Sequence, residues 1–142
     1  MSALRPRRSA ANLAPFFILG LVAALNLVRG GIHAFSVDGG AHSIAGLDIA
    51  ENRQTILSLF AILGFHQIVA GLFEAYVLVF RRDLITIALG VQLAETIAGV
   101  TNLYLYRTFP VSVPGAPFNL AVLFFVGTAF LLSLLKERGR AA

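Results

Sequence analysis

Four long apolar stretches divide this chain, at residues 13–35, 55–80, 84–106 and 118–135. An α-helix needs about 20 consecutive apolar residues to cross the ~30 Å hydrocarbon core of a bilayer. Each stretch is close to that length, and short polar segments separate them. We therefore predict an all-α fold, an integral membrane four-helix bundle whose membrane domain covers residues 13–135.

The composition supports this prediction and excludes several other classes of protein. Hydrophobic residues make up 58% of the chain and charged residues 13%, against roughly 25% charged in average soluble domains. A soluble domain of 142 residues has too small a core to hide that excess. The chain has no cysteine, which excludes disulfides, thiolate metal sites and thiol redox chemistry.

The basic residues predict the orientation of the chain. Cytoplasmic loops of membrane proteins carry an excess of lysine and arginine. Eight basic residues lie on one predicted side of the membrane and two on the other, so both termini are predicted to be cytoplasmic, with basic tails at residues 1–12 and 136–142. Because these residues form short clusters that flank the apolar stretches, they do not indicate nucleic-acid binding. The eight are Arg5, Arg7, Arg8, Arg81, Arg82, Lys136, Arg138 and Arg140, and the two are Arg53 and Arg107.

Turn and cap signals predict the connections between the spans. Residues 38–40 read Asp-Gly-Gly, a strong turn signal in the loop after the first span. Asp48, with Glu51 three positions later, predicts the N-cap of the second helix, which would then start near Ile49. Three prolines predict an extended loop over residues 107–117.

Polar and small residues recur at helical spacing in the first three spans. Residues three or four positions apart lie on one face of a helix. Small residues on such a face let helices approach closely, and polar residues bond across the gap. We therefore predict that these rows face one another around a polar, outward-opening cavity. The rows are Asn26, Arg29 and His33, then Gly64, Gln67, Gly71 and Glu74, then Gln92, Glu95, Gly99 and Asn102.

Several of these polar side chains fall at one predicted depth. At 1.5 Å rise per residue, Asn26, His66, Gln67 and Glu95 lie within about one helical turn of the midpoints of their spans. An ionisable residue inside a membrane is a functional hypothesis by default, because burying it there is costly. The predicted cavity residues are Asn26, Arg29, His33, His66, Gln67, Gln92, Glu95 and Asn102.

Each ionisable residue also has a structural interpretation. Arg29 and Glu95 could form an ion pair that only fixes the helix register. His66 could be a core histidine bonded to a backbone carbonyl or to Gln67. Glu74 could extend toward the membrane surface and pair with an arginine of the turn at residues 81–83.

The second span carries a pattern that resembles a known family. Gly64-x-x-Gln67-x-x-x-Gly71, followed by leucine-rich sequence and Arg81-Arg82, is similar to the DoxX-like group of small four-span bacterial membrane proteins. The resemblance implies a four-span bundle in a bacterial inner membrane, and for some members an association with membrane oxidoreductase or stress-response complexes. This chain departs from the family pattern by having Gln67 where those proteins often carry glutamate.

The leading functional hypothesis is non-enzymatic. A cavity between the first three spans would bind a small amphipathic ligand or a partner membrane protein, and the apolar fourth span would meet lipid or a second copy of the chain. One alternative is a proton-coupled transporter or channel subunit with a relay of Glu74, His66 with Glu95, and His33. Another is an integral-membrane enzyme acting on a lipid or isoprenoid-like substrate, with His66 and Glu95 as acid and base.

No cofactor or metal is indicated by the sequence. Haem held by two histidines needs both at similar depth, whereas His33 lies about 10 Å outward of His66 by helix rise. A metal site needs three or four convergent ligands, and His33, Asp38 and His42 follow no recognised pattern. Asp38 and His42 are interpreted as turn residues.

Overall fold

The structure is a computed structural model that describes residues 13–106 and 116–141. In these two segments the chain is helical and contains no strand. Their four α-helices are α1 (Ala14–Phe35), α2 (Arg53–Phe80), α3 (Ile85–Thr101) and α4 (Ala116–Ala141). A 3₁₀ turn (Arg82–Leu84) precedes α3, and a π-helical turn (Asn102–Tyr106) follows it.

Four segments of the described chain are long and apolar enough to cross a membrane. They are Ala14–Phe35, Arg53–Phe80, Arg82–Tyr106 and Pro117–Gly139. The predicted all-α architecture with four helices of spanning length is therefore confirmed. The outward faces of these helices carry large apolar side chains of a kind that soluble monomers rarely expose in quantity, which indicates a multi-pass membrane protein. Examples are Phe17, Leu21, Val28, Leu59, Ile62, Val69, Ile87, Phe124 and Leu131.

The last helix extends further than the apolar stretch alone suggests. α4 continues beyond residue 135 through Lys136 to Ala141, and the Thr86 hydroxyl donates to Glu137 Oε1 at 2.6 Å. Pro117, predicted to belong to the loop, lies in the first turn of α4, where the backbone N–H groups have no partner within the helix. The predictions for residues 1–12 and for the rest of the proline-rich loop lie outside the described residues.

The predicted start of α2 is wrong by about four residues. The helix begins at Arg53, and the residue before it, Asn52, has a φ of 58° and caps nothing with its side chain. Asp48 Oδ1 instead accepts the backbone N–H two positions on, at 2.9 Å. Such a local bond from an aspartate competes with helix formation, so Asp48 caps a turn and not the helix.

Glycines bring α1 and α2 into close contact. A Cβ atom added at Gly64 would lie 2.5 Å from the backbone nitrogen of Ala34, and one added at Gly30 would lie 2.7 Å from the Gly64 carbonyl oxygen. A Cβ atom at Gly71 would lie 2.9 Å from the carbonyl oxygen of Ala23. The predicted role of Gly64 and Gly71 in close packing is confirmed.

The apolar core occupies the end of the bundle that holds the start of α1 and the second half of α4. Here α4 packs on α3 and on α1, so the fourth helix belongs to the bundle while its outer face stays exposed. The core residues are Leu19, Val22, Val77, Ala88, Leu89, Val126 and Ala129. The other half of the bundle is less tightly filled and holds the cavity described next.

Candidate functional site

A partly open cavity of about 420 Å³ lies in the half of the bundle opposite the apolar core. This volume is within the ~300–1,000 Å³ range typical of small-molecule sites. Seven of the eight predicted cavity residues line it, and His66 does not. The polar lining residues are Asn26, Arg29, His33, Gln67, Gln92, Glu95, Thr96, Asn102 and Asn119.

Apolar side chains supply the larger part of the cavity wall. The interior is therefore amphipathic, whereas the sequence predicts a polar one between the first three spans. α4 contributes three lining residues, including Asn119, which sequence reasoning missed because no polar residue follows it at helical spacing. The large apolar lining residues are Val22, Leu25, Ile44, Leu47, Phe60, Leu63, Leu103, Phe118 and Val122.

A hydrogen-bonded network joins three helices at the floor of the cavity. Asn26 Nδ2 on α1 donates to Glu74 Oε2 on α2 and to Gln92 Oε1 on α3, each at 3.0 Å. Gln92 Nε2 in turn donates to the Thr96 hydroxyl at 3.2 Å. Glu74 is only 3% exposed and Gln92 8%, so these polar groups satisfy one another inside the bundle.

The interpretation of Glu74 as a partner for an arginine of the following turn is wrong. Glu74 is buried against Asn26, since Gly71 lets α1 approach α2 one turn away. Arg81 pairs with Asp83 instead, with Nη2 2.8 Å from Oδ2. Hydrogen bonding to Asp83 raises the pKa of Arg81 above its ordinary value. The guanidinium carbon of Arg82 lies 5.1 Å from the centre of the Phe16 ring, within range of a cation–π contact.

His66 and Glu95 contact each other on the exposed outer surface of the bundle, beside the cavity. His66 Nδ1 lies 3.5 Å from Glu95 Oε1, across the gap between α2 and α3, and the two side chains are 64% and 40% exposed. His66 points away from the cavity because it precedes Gln67 by one residue, which turns its side chain about 100° around the helix. The separation is longer than the ~2.6–3.2 Å of direct proton transfer.

Arg29 and Gln67 are among the polar lining residues whose side chains have no hydrogen-bond partner in the described parts of the chain. Within residues 13–106 and 116–141, Arg29 makes neither a hydrogen bond nor an ion pair of 4.0 Å or less, so the predicted Arg29–Glu95 pair is not formed. Gln67 Oε1 is buried and has no hydrogen-bond partner there. Buried polar groups are nearly always satisfied, so the Gln67 oxygen is an exception within the described part of the bundle.

The loop after α1 covers one end of the cavity. Ile44, Ala45 and Leu47 contribute to the lining, and Ala41 of the same loop is fully buried. We call residues 36–52 the cover loop. It is held to α1 by His33, whose Nδ1 donates to the Gly39 carbonyl at 2.6 Å. His33 therefore serves the loop as well as the cavity wall.

Asp38 organises the first turn of the cover loop. Its Oδ1 accepts the backbone N–H of Gly40 at 3.0 Å, and its Oδ2 accepts that of Ser43 at 2.7 Å. These backbone bonds hold the pKa of Asp38 well below its ordinary value. Gly39 and Gly40 have φ of +60° and +75°, which favours glycine, so the turn predicted at residues 38–40 is confirmed.

The described residues contain no continuous relay of acids and histidines. Glu74 contacts Asn26, His66 contacts Glu95, and His33 contacts a backbone carbonyl. The Asn26 amide nitrogen is a donor only, so it does not accept a proton from Glu74. This geometry gives no support to the predicted proton ladder.

No family model, no curated protein and no solved structure matches this chain. Among the residues that the structure describes, no three histidine or acidic side chains cluster in a way that could hold a metal ion. What these residues do offer is a concave space with Arg29, Glu95 and several amide side chains on part of its wall and apolar side chains on the rest. Such a lining suits a molecule with a polar head and an apolar body.

Proposed function

We propose that this chain is a DoxX-like, multi-pass protein of the bacterial inner membrane that binds a small amphipathic ligand in its cavity. Both termini lie in the cytoplasm, and the cavity opens in the outer half of the membrane beneath the cover loop. The observation that carries the proposal is the amphipathic cavity of about 420 Å³ inside a bundle with apolar outer faces.

The lining explains why the ligand is amphipathic. Arg29 and Gln67 offer polar contacts to a head group, while Leu25, Phe60 and Phe118 offer apolar contact to a chain or ring. A purely polar solute would leave the apolar walls unused, and a purely apolar one would leave the polar groups of Arg29 and Glu95 without a polar contact. The lining thus matches both ends of an amphiphile.

A ligand within the bundle fits the cavity better than a partner protein does. Protein interfaces bury about 800 Å² on each partner and are rather flat, whereas this space is concave and lies between helices. α2 and α3 contact each other only sparsely, and the His66–Glu95 contact bridges their gap. An amphiphile dissolved in the bilayer would reach the cavity through this gap.

The proposal can be tested by filling the cavity. Gly99 lines it, and a Cβ atom there would meet nothing within 4 Å, so Gly99→Leu adds bulk at the cavity wall from an unobstructed Cβ position. Gly31→Leu is the matched control, because Gly31 also has nothing within 4 Å and does not line the cavity.

The readout is the thermal stability of purified protein in maltoside micelles, with and without dodecyl amphiphiles of different head groups. A ligand at 100 times its Kd stabilises the folded state by about 2.7 kcal/mol. At least one dodecyl probe should raise the unfolding temperature of wild type and Gly31→Leu, and should leave Gly99→Leu unchanged. Equal shifts in all three proteins, or none in any, would reject the cavity as the binding site.

A further inference from the structure

We propose that the ligand of this cavity is a monoanionic amphiphile whose head group also carries a hydroxyl or N–H donor. This inference rests on the proposed function and adds the chemistry of the head group. Two observations carry it: the unpartnered guanidinium of Arg29 and the orphaned side-chain oxygen of Gln67. Both groups belong to the same cavity wall.

The charges that face the cavity favour an anion. Arg29, Glu95 and His33 are its ionisable lining residues. Glu95 faces His66, and His33 is bonded to the cover loop, whereas Arg29 has no partner in the described parts of the chain. A guanidinium stays protonated in proteins and presents several N–H donors in a fixed fork. The unmatched charge of the site is therefore positive, and a carboxylate or phosphate fits it.

Gln67 adds the requirement for a donor. The residue is 8% exposed, and its Oε1 is buried without a partner. A carbonyl oxygen only accepts hydrogen bonds, and an ionised carboxylate has no proton to offer. A hydroxyl or an amide N–H next to the anionic group would satisfy this oxygen while the guanidinium binds the charge.

The two groups lie close enough along the bundle to serve one head group. Gly30, which follows Arg29, packs against the Gly64 carbonyl and against Ile68. Arg29 on α1 is therefore level with Gln67 on α2. Glu95 lines the same cavity and would repel a second negative charge, so a singly charged head group is preferred.

The test compares dodecyl compounds that differ only in their heads. The probes with both features are 3-hydroxydodecanoate and N-dodecanoylglycine, and the comparison probes are dodecanoate, 1,2-dodecanediol and dodecyltrimethylammonium. Affinities are measured on the wild-type protein in maltoside micelles by isothermal titration. Since a hydrogen bond to a buried acceptor left otherwise unsatisfied is worth about tenfold in affinity, one of the first two should bind about tenfold tighter than dodecanoate. The diol and the cation should bind more weakly than dodecanoate.

Two substitutions separate the two contacts. Arg29→Gln should weaken every acid about tenfold while leaving the diol unchanged. Gln67→Leu should abolish the advantage of the hydroxyl or N–H, and should keep or raise the unfolding temperature without ligand, because it removes an unsatisfied oxygen. Gln67→Met, of similar length, takes its place if the leucine variant does not fold.

The outcomes distinguish this inference from the proposed function. If all five probes bind wild type with equal affinity and Gly99→Leu abolishes that binding, the head-group inference is overturned and the amphiphile site stands. If no probe is sensitive to Gly99→Leu, both are overturned. Tighter binding of the cation than of the acids would overturn the inference directly, whatever the variants do.

Discussion

Asn26 Nδ2 donates to Glu74 Oε2 over 3.0 Å, which joins α1 to α2 between residues 48 positions apart in sequence. The bond lies where Gly71 brings the two helices together, on the side of the bundle centre that faces the apolar core. It also closes the floor of the cavity, because the same nitrogen donates to Gln92 on α3. A single amide thus holds three helices in register below the cavity.

Replacing Asn26 by alanine should destabilise the bundle. Glu74 Oε2 and Gln92 Oε1 would both lose their donor, and a buried polar group left unsatisfied costs about 1–3 kcal/mol, or more when it is charged. The free energy of unfolding can be measured by circular dichroism during SDS titration of the micellar protein. Thr128→Ala is the control, since the exposed Thr128 hydroxyl bonds only to a carbonyl of its own helix, and it should cost less than about 0.5 kcal/mol.

A double-mutant cycle tests how much of that loss of stability comes from the hydrogen bond between Asn26 and Glu74. In the Glu74→Leu background the carboxylate is gone, so the further change Asn26→Ala should cost less than it does in the wild type. Residues in direct contact typically show interaction energies of about 0.5–3 kcal/mol. Strict additivity of the two changes would mean that the hydrogen bond does not contribute to the stability of the bundle.

Gly64→Ala should separate α1 from α2. The added Cβ atom would lie 2.5 Å from the Ala34 nitrogen and 2.7 Å from the Gly30 oxygen, and backbone atoms cannot move aside as a flexible side chain can. Overpacking of this kind costs about 1–3 kcal/mol. Gly31→Ala on the same helix pair meets nothing within 4 Å and should instead stabilise by up to about 1 kcal/mol, since alanine favours helix. Equal effects of the two changes would contradict the close packing.

Helical periodicity explains what could be predicted about the cavity lining. Rows such as Gln92, Glu95 and Asn102 share a face of a helix whatever the neighbouring helices do, and the structure brings that face to the cavity. Helix ends such as Phe35 and Phe80 were also predictable, because the apolar stretches stop there. Both properties belong to one helix at a time.

Relationships between helices could not be predicted in the same way. If the midpoint of each span is placed at the bilayer centre, Asn26 lies at the same depth as Gln67. The glycine contacts set a different position of α1 along α2, so that Asn26 lies beside Glu74. The late start of α2 escaped prediction because Asp48 bonds a backbone N–H locally instead of capping the helix. Asn119 could not be predicted as a cavity residue, because a single polar residue in a helix shows no helical periodicity.

The cover loop should depend on the charge of Asp38. Asp38→Ala removes both acceptors for the Gly40 and Ser43 amides, so hydrogen exchange at these amides should become faster at pH 7. Asp48→Ala is the control, because it removes only a bond to Ala50 further along the loop. Unchanged protection at Gly40 and Ser43 in Asp38→Ala would contradict the proposed role.

The same bonds predict a pH dependence with a defined sign. The folded loop lowers the pKa of Asp38 below its ordinary value, so ionisation favours the ordered loop. The stabilisation is fully present above the unfolded pKa of about 3.9 and is lost as the pH falls below it toward the folded value. Protection factors at Gly40 should therefore be constant between about pH 5 and 8 and decline only in acid. A decline near neutral pH would point to a different titrating group.

The proposed orientation can be tested with single cysteines, because the natural chain has none. Val37 is 86% exposed in the cover loop, and Gly139, near the end of α4, has nothing within 4 Å of an added Cβ atom, so both sites accept the substitution. In spheroplasts, a membrane-impermeant maleimide should label Val37→Cys at once and Gly139→Cys only after permeabilisation. The reverse pattern would invert the proposed topology, and with it the assignment of the cavity to the outer half of the membrane. Labelling of both sites in sealed spheroplasts would contradict the three spans between Val37 and Gly139, since an odd number of spans places two positions on opposite sides of the membrane.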